Sequence, residues 1–157
     1  MPDSLTHADS ILINATPEQV FAVVSDVTRT GEWSPVCEAC WWDEGDGPRP
    51  GAFFTGRNVT PDRTWETRCE VTVCEAGRAF GWGVTEGNVF WTYTMRPVGS
   101  STELTESWEF TAKGQAFFAQ RFGADAAAEV EKRRQAAQEG IPVTLRAMKR
   151  IIEESDD

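Results

Sequence analysis

The sequence predicts an α+β fold: a seven-stranded, curved antiparallel sheet with two short helices near its start and a long helix at its end. Two observations carry that prediction. From residue 37 to 111 apolar and polar residues alternate with a period of two, in runs separated by turn residues. After Gly114 the apolar residues recur every three or four positions instead. The 157 residues fit one domain, and a chain of this size buries roughly two thirds of its unfolded surface. A single domain over 1–157 is therefore expected.

Residues 8–14 (ADSILIN) read as the first strand, which leaves His7 in a solvated N-terminal tail. A helix start follows, with Thr16 as N-cap, Pro17 at the first helical position and Gln19 completing a capping box. Val20, Val23 and Val24 mark its buried face. A second short helix is expected over Thr28–Trp33, closed by Ser34-Pro35 because the residue before proline avoids helical dihedrals. Six strand-like runs come next, at 37–44, 52–60, 63–75, 78–85, 88–96 and 102–111. Their connections are short enough for hairpins, so the simplest topology is a meander joined by the first strand.

Alternation assigns the faces. Trp65, Thr67, Cys69, Val71 and Val73 share one face of their run, opposite Glu66, Arg68, Glu70 and Thr72. Val89, Trp91, Tyr93 and Met95, and then Leu104, Glu106, Trp108 and Phe110, line the same inner side. In the C-terminal helix, from about Ala124 to Glu154, the stripe Ala137, Ile141, Leu145, Met148 and Ile152 should face the sheet. Pro142 follows Gly140 closely, so a kink or break is expected near 140–142. The acidic stretch 153–157 reads as a frayed tail.

Composition narrows the partners. A net charge of −10 opposes binding to phosphate backbones and anionic surfaces, which excludes nucleic acid as a main partner. No run is apolar and long enough to insert in a membrane, and no signal-peptide pattern opens the chain, so a cytoplasmic location is expected. The four cysteines read as free thiols. Cys37 and Cys40 form a C-x-x-C, but in a strand that spacing points the sulfurs to opposite faces, and the same holds for Cys69 and Cys74. Neither redox chemistry nor a zinc site is expected, and no cofactor is called for.

The stretches "ATPEQVFAVVSDVTRTGEWSP", "GAFFTGRN" followed by "TWETRCEVTVCEAGRAFGW", and "ELTESWEF" resemble the START-like (SRPBCC, helix-grip) superfamily, specifically its polyketide cyclase/dehydrase-like branch. The resemblance covers nearly the whole chain. It implies a cavity between the sheet and the C-terminal helix that takes an apolar, aromatic, polyketide-like or lipid-like small molecule, and in some members cyclisation or dehydration. Fold alone does not decide between those activities.

Glu106 is the most informative position, because alternation sets a carboxylate between Leu104 and Trp108 on the apolar face. Desolvation there raises a carboxyl pKa and makes it a candidate acid, base or ligand anchor. The structural alternatives are a bulge that turns it outward, or an ion pair with Arg57 or Arg146. Tyr93 shares its face and is the second catalytic candidate. Phe54 and Asn58 lie on one face of their strand, with Asn58 offering an amide to a ligand. Trp65, Trp91 and Trp108, of seven tryptophans, point inward, while Trp33, Trp41, Trp42 and Trp82 are not assigned. With Leu145 and Met148 from the helix stripe, these residues form the expected binding site. Three functions follow: a carrier or sensor for an apolar molecule, a cyclase or dehydratase using Glu106 or Tyr93, or a protein-interaction module. The Glu, Arg and Thr of the outer face oppose the last. Monomer and homodimer are both compatible with the sequence.

Overall fold

The computed structural model describes residues 3–154. The elements run β1 (Leu5–Ile13), α1 (Pro17–Val24), a 3-10 helix (Val27–Glu32), β2 (Cys37–Trp42), β3 (Phe53–Thr60), β4 (Arg63–Glu75), β5 (Ala79–Val84), β6 (Val89–Val98), β7 (Ser101–Phe110), α2 (Ala112–Phe122) and α3 (Ala126–Glu154). The strands form one antiparallel sheet in the order β1-β7-β6-β5-β4-β3-β2. This is the expected meander, with the first strand closing onto the last.

The first strand starts earlier than expected. His7 therefore lies inside β1, opposite Trp108, and its Nε2 sits 2.9 Å from Asp9 Oδ2. The reason is the length of β7, which offers ladder partners as far as Leu5–Phe110. Thr16 caps α1 as its sequence predicts: Gln19 N–H donates to Thr16 Oγ1 and Thr16 N–H donates to Gln19 Oε1. Val20, Val23 and Val24 are buried beneath the sheet.

Two β-bulges redirect side chains that simple alternation misassigns. In β4 the pairing with β5 shifts between Val71 and Val73. Val71 pairs with inward Trp82, but Val73 pairs with Gly81 on the outer side, and Cys74 pairs with inward Phe80. Val73 thus leaves the inner face and Cys74 joins the side of Cys69. A bulge adds one residue to one strand, so every side chain beyond it changes face. In β2 a second shift lies between Cys37 and Ala39. Gly31, in the 3-10 helix, rests on the carbonyl of Glu38, the extra residue, and leaves no room there for a Cβ.

Glycines on β5 allow close packing on the outer face. A Cβ at Gly83 would stand 2.9 Å from the Phe90 ring, and one at Gly81 would stand 2.9 Å from the Trp91 carbonyl. The β5–β6 turn holds Thr85 and Glu86 at positive φ, 49° and 60°, a costly conformation for a β-branched residue. It is pinned from the far side. Thr111 Oγ1 donates to the Gly87 and Asn88 carbonyls, and Lys113 Nζ donates to Glu86 O.

The inner face is the core. Phe80, Phe110, Leu104, Val71 and Ile13 are fully buried with Ile141, Leu145, Met148 and Ile152 of α3, each large side chain contributing about 1.5–3 kcal/mol. The helix runs unbroken through Gly140-Ile141-Pro142, so a break at that point does not occur. Pro142 costs the hydrogen bond to the Gln138 carbonyl, but Ile141, Thr144 and Leu145 are buried on either side of it and hold the turn in place. The helix also includes Glu153 and Glu154, which were expected to fray. Glu153 accepts from Asn14 N–H and Lys149 Nζ, and Lys149 donates to Leu12 O, tying this end of α3 to β1. The rest of that stretch, 155–157, lies outside the described residues.

Gly114 of α2 lies against the backbone of Asn88, where a methyl would overlap the carbonyl. Gly114→Ala should therefore cost about 1–3 kcal/mol by forcing backbone apart. Urea denaturation would measure this loss, and unchanged stability would contradict the close approach.

Candidate functional site

Between the inner face of the sheet, the α1-to-β2 segment and α3 lies a cavity of about 290 Å³, at the lower end of the roughly 300–1,000 Å³ typical of small-molecule sites. Alternation along β6 and β7 supplies one wall: Val89, Trp91 and Tyr93 from β6, Glu106 and Trp108 from β7. From β3 and β4 come Phe54, Asn58, Trp65 and Cys69. From α3 come Arg133, Ala137, Ile141 and Thr144, one turn apart or nearly so. Seven of the residues expected at the site thus share one cavity. Leu145 and Met148 do not: they are 2% and 0% exposed, packed in the core, because the helix passes the end of the cavity before it reaches them.

Tyr93 and Glu106 are ladder partners across β6 and β7. The Tyr93 hydroxyl donates to Glu106 Oε2 at 3.0 Å. Glu106 is 4% exposed, and its Oε1 is buried with no hydrogen-bond partner among the described residues. Neither structural alternative for Glu106 holds. It points inward, Arg57 instead lies near Glu38 and Glu66 at 3.6 and 3.7 Å, and Arg146 is exposed. Asp9, its partner on β1, is turned to His7.

A carboxylate so placed loses its hydration, and burial raises the Glu106 pKa to about 8 although the Tyr93 hydrogen bond pulls it down. Burial, reinforced by the adjacent carboxyl, also drives the Tyr93 phenol well above its ordinary value. Both groups are neutral at pH 7. With Oε2 accepting from Tyr93, the acid proton belongs on Oε1, a donor with no acceptor among the described residues. The site can therefore give a hydrogen bond or a proton to an oxygen inside the cavity.

The remaining lining is aromatic. Trp82, unassigned from sequence, packs 5.6 Å from Phe54 and 5.9 Å from Tyr93, ring centre to ring centre. Trp33 is buried at the cavity wall. Trp41 points away under Arg57, while Trp42 packs edge-on to Phe54. Asn58 Nδ2 donates to Trp65 O and Thr67 Oγ1, at 3.4 and 3.3 Å.

Two further features escaped the sequence reading. Arg133 stacks on Trp65 and Phe118, its guanidinium carbon 5.1 and 5.5 Å from the ring centres. Burial, with the nearby Arg63 charge, lowers its pKa, and it makes no ion pair among the described residues. Nothing in the α3 pattern separates it from the neighbouring charges. The second is the C-x-x-C pair: the β2 bulge turns both cysteines to the cavity, with Cys37 Sγ 3.2 Å from Cys40 Sγ. The motif was visible, but the bulge that unites the sulfurs was not.

The buried acid has a measurable consequence. In the folded chain Glu106 keeps its proton to about pH 8, whereas an ordinary glutamate ionises near 4.5. Its contribution to stability is therefore most favourable below about pH 4.5, falls as pH rises to about 8 and is flat beyond. Urea melts from about pH 4 to 9 should show wild type losing stability relative to Glu106→Gln across that window. A pH-independent difference would contradict a neutral Glu106.

Residues 5–141 match the family described as polyketide cyclase / dehydrase and lipid transport. The solution structure of the polyketide-cyclase-like protein Cgl2372 from Corynebacterium glutamicum is 63% identical, covering 100% of this chain and 96% of that one, with a TM-score of 0.73. Two more distant structures share the fold. StfQ, a di-domain ARO/CYC from the steffimycin biosynthetic pathway, is 16% identical with a TM-score of 0.74; the match covers 98% of this chain and 52% of StfQ. TTHA0849 from Thermus thermophilus is 13% identical with a TM-score of 0.71, covering 98% and 100% of the two chains. No functionally curated protein matches the chain. With its matched span reaching from β1 into α3, and with a 63% identical relative of the same fold, the chain belongs to the polyketide cyclase/dehydrase and lipid transport family.

Proposed function

We propose that the protein binds one apolar, aromatic or lipid-like small molecule in the cavity between the sheet and α3, and holds an oxygen of that molecule on the Glu106 carboxyl. The observation that carries this reading is the unpartnered, buried Glu106 Oε1 in an aromatic-lined cavity. A buried polar group without a partner costs about 1–3 kcal/mol, so a ligand carbonyl or hydroxyl at Oε1 recovers a hydrogen bond that no described residue makes. The indole faces of Trp91, Trp108 and Trp82 favour a flat ring system over a flexible chain. The modest volume of about 290 Å³ favours a compact molecule over a two-chain lipid.

Flavone, an aromatic ketone with no titrating group, is a suitable probe. Its binding, followed by quenching of tryptophan fluorescence, should saturate. Affinity should fall about three- to tenfold, the worth of one hydrogen bond, as pH rises past the Glu106 pKa. Glu106→Gln keeps a neutral donor and should bind flavone without that pH dependence. Non-saturable quenching, or wild-type affinity that ignores pH, would count against the proposal. Native mass spectrometry of the purified protein should also detect a co-purifying apolar molecule.

A second reading, a dehydratase or cyclase, is favoured by one observation: two polar groups, Tyr93 and Glu106, meet within hydrogen-bond distance in the cavity wall. In that role neutral Glu106 protonates the departing hydroxyl as the C–O bond breaks, and the carboxylate so formed takes the proton of the α-carbon, giving enone and water and restoring the acid, with Tyr93 orienting it. A β-hydroxyketone such as 4-hydroxy-4-phenylbutan-2-one should then lose water to give the enone. The rate should fall as pH rises past about 8 and drop by roughly 10²–10⁴ in Glu106→Gln. Turnover unaffected by that substitution would exclude this role for Glu106.

A further inference from the structure

The β2 bulge creates a constellation that binding alone does not use. Cys37 pairs with Asn58 and Cys40 with Gly56, both on the cavity side of β3. The two sulfurs stand 3.2 Å apart, and closure to a disulfide needs about 2.05 Å. Opposite them Gly56 supplies space: a Cβ there would stand 3.2 and 3.3 Å from the two sulfurs, tighter than ordinary contact. The bulge itself is held on both sides. Gly31 seats the Glu38 carbonyl, and Ser34 Oγ accepts from Cys37 N–H at 2.9 Å. Cys37 is half-buried and open to small reagents, whereas Cys40 lies at the inner wall.

We infer that Cys37 and Cys40 form a redox-active dithiol in the cavity wall, oxidised to a disulfide by a small peroxide and reopened by a thiol reductant. One thiolate of the pair attacks a peroxide oxygen, the O–O bond breaks, and the departing hydroxide takes a proton to become water. The resulting sulfenic acid is attacked by the second sulfur, 3.2 Å away; the S–O bond breaks, the S–S bond forms, and the second thiol's proton leaves with hydroxide as a second water. Two thiols and one peroxide thus give one disulfide and two waters. Cys69, pushed up to about 12 mainly by burial, stays a thiol.

The test is oxidation of the native chain with hydrogen peroxide, alkylation in denaturant and peptide mapping. Intact mass should drop by about 2 Da, two hydrogens per disulfide. The map should join Cys37 to Cys40, leave Cys69 and Cys74 alkylated, and revert with dithiothreitol. With either cysteine replaced by serine, the disulfide should not form, and a sulfenic acid on the remaining cysteine of the pair should be trapped by dimedone. Four alkylated thiols after peroxide, a linkage through Cys69 or Cys74, or irreversible sulfinic acid in place of the disulfide would each overturn the proposal. The wild-type map decides the linkage even if a variant fails to fold.

Discussion

A carboxyl group on the apolar face of a sheet must be neutralised or neutral, and the inner wall of this fold is built around the second solution. Strand register sets Glu106 between Leu104 and Trp108, opposite Tyr93. Among the described residues no cation pairs with it. Burial therefore keeps the proton on, and the one hydrogen bond from Tyr93 occupies one oxygen while the other stays buried in the cavity wall with no partner among the described residues. The cost of that arrangement is borne by the rest of the core: the large apolar side chains of the sheet and α3 supply the stability that a lone buried acid removes.

The cavity exists because the wall residues are large and face one helix that narrows to small residues where it passes them. Ala137, Gly140 and Thr144 of α3 leave space where Leu145, Met148 and Ile152, further along, fill it. Indole rings stand on the opposite side. The same helix is anchored at its far end by Lys149 and Glu153 to the first strand and its exit, so the open and the closed parts of the inner face belong to one rigid element. Bulges then adjust the lining locally without altering the meander. One returns Cys74 inward, and the other brings Cys37 and Cys40 to one face over Gly56.

Much of this was legible in the sequence, for physical reasons that differ by element. The Thr16 capping box, the strand periods and the α3 stripe are local and repeat over many residues, so tertiary packing has no reason to override them. Glu106 and Tyr93 could be placed inside because β6 and β7 alternate without interruption. What failed depends on one residue or on partners distant in sequence. The bulges at Glu38 and near Thr72 reverse faces but carry no composition signal beyond the glycine that seats one of them, Gly31. His7 entered a strand because β7 was long enough to pair with it. Pro142 continued its helix because burial of Ile141 and Leu145 outweighed one missing hydrogen bond. Arg133 looks like any surface arginine until Trp65 and Phe118 are beside it.

Infrared difference spectroscopy between wild type and Glu106→Gln observes directly whether Glu106, in the cavity wall, is a neutral donor. The expected spectrum at pH 7 contains the C=O band of a protonated carboxyl, which gives way to carboxylate bands only as pH passes about 8 and shifts when flavone is added. Carboxylate bands already present at pH 7, unmoved by flavone, would contradict both the protonation state and the role assigned to it.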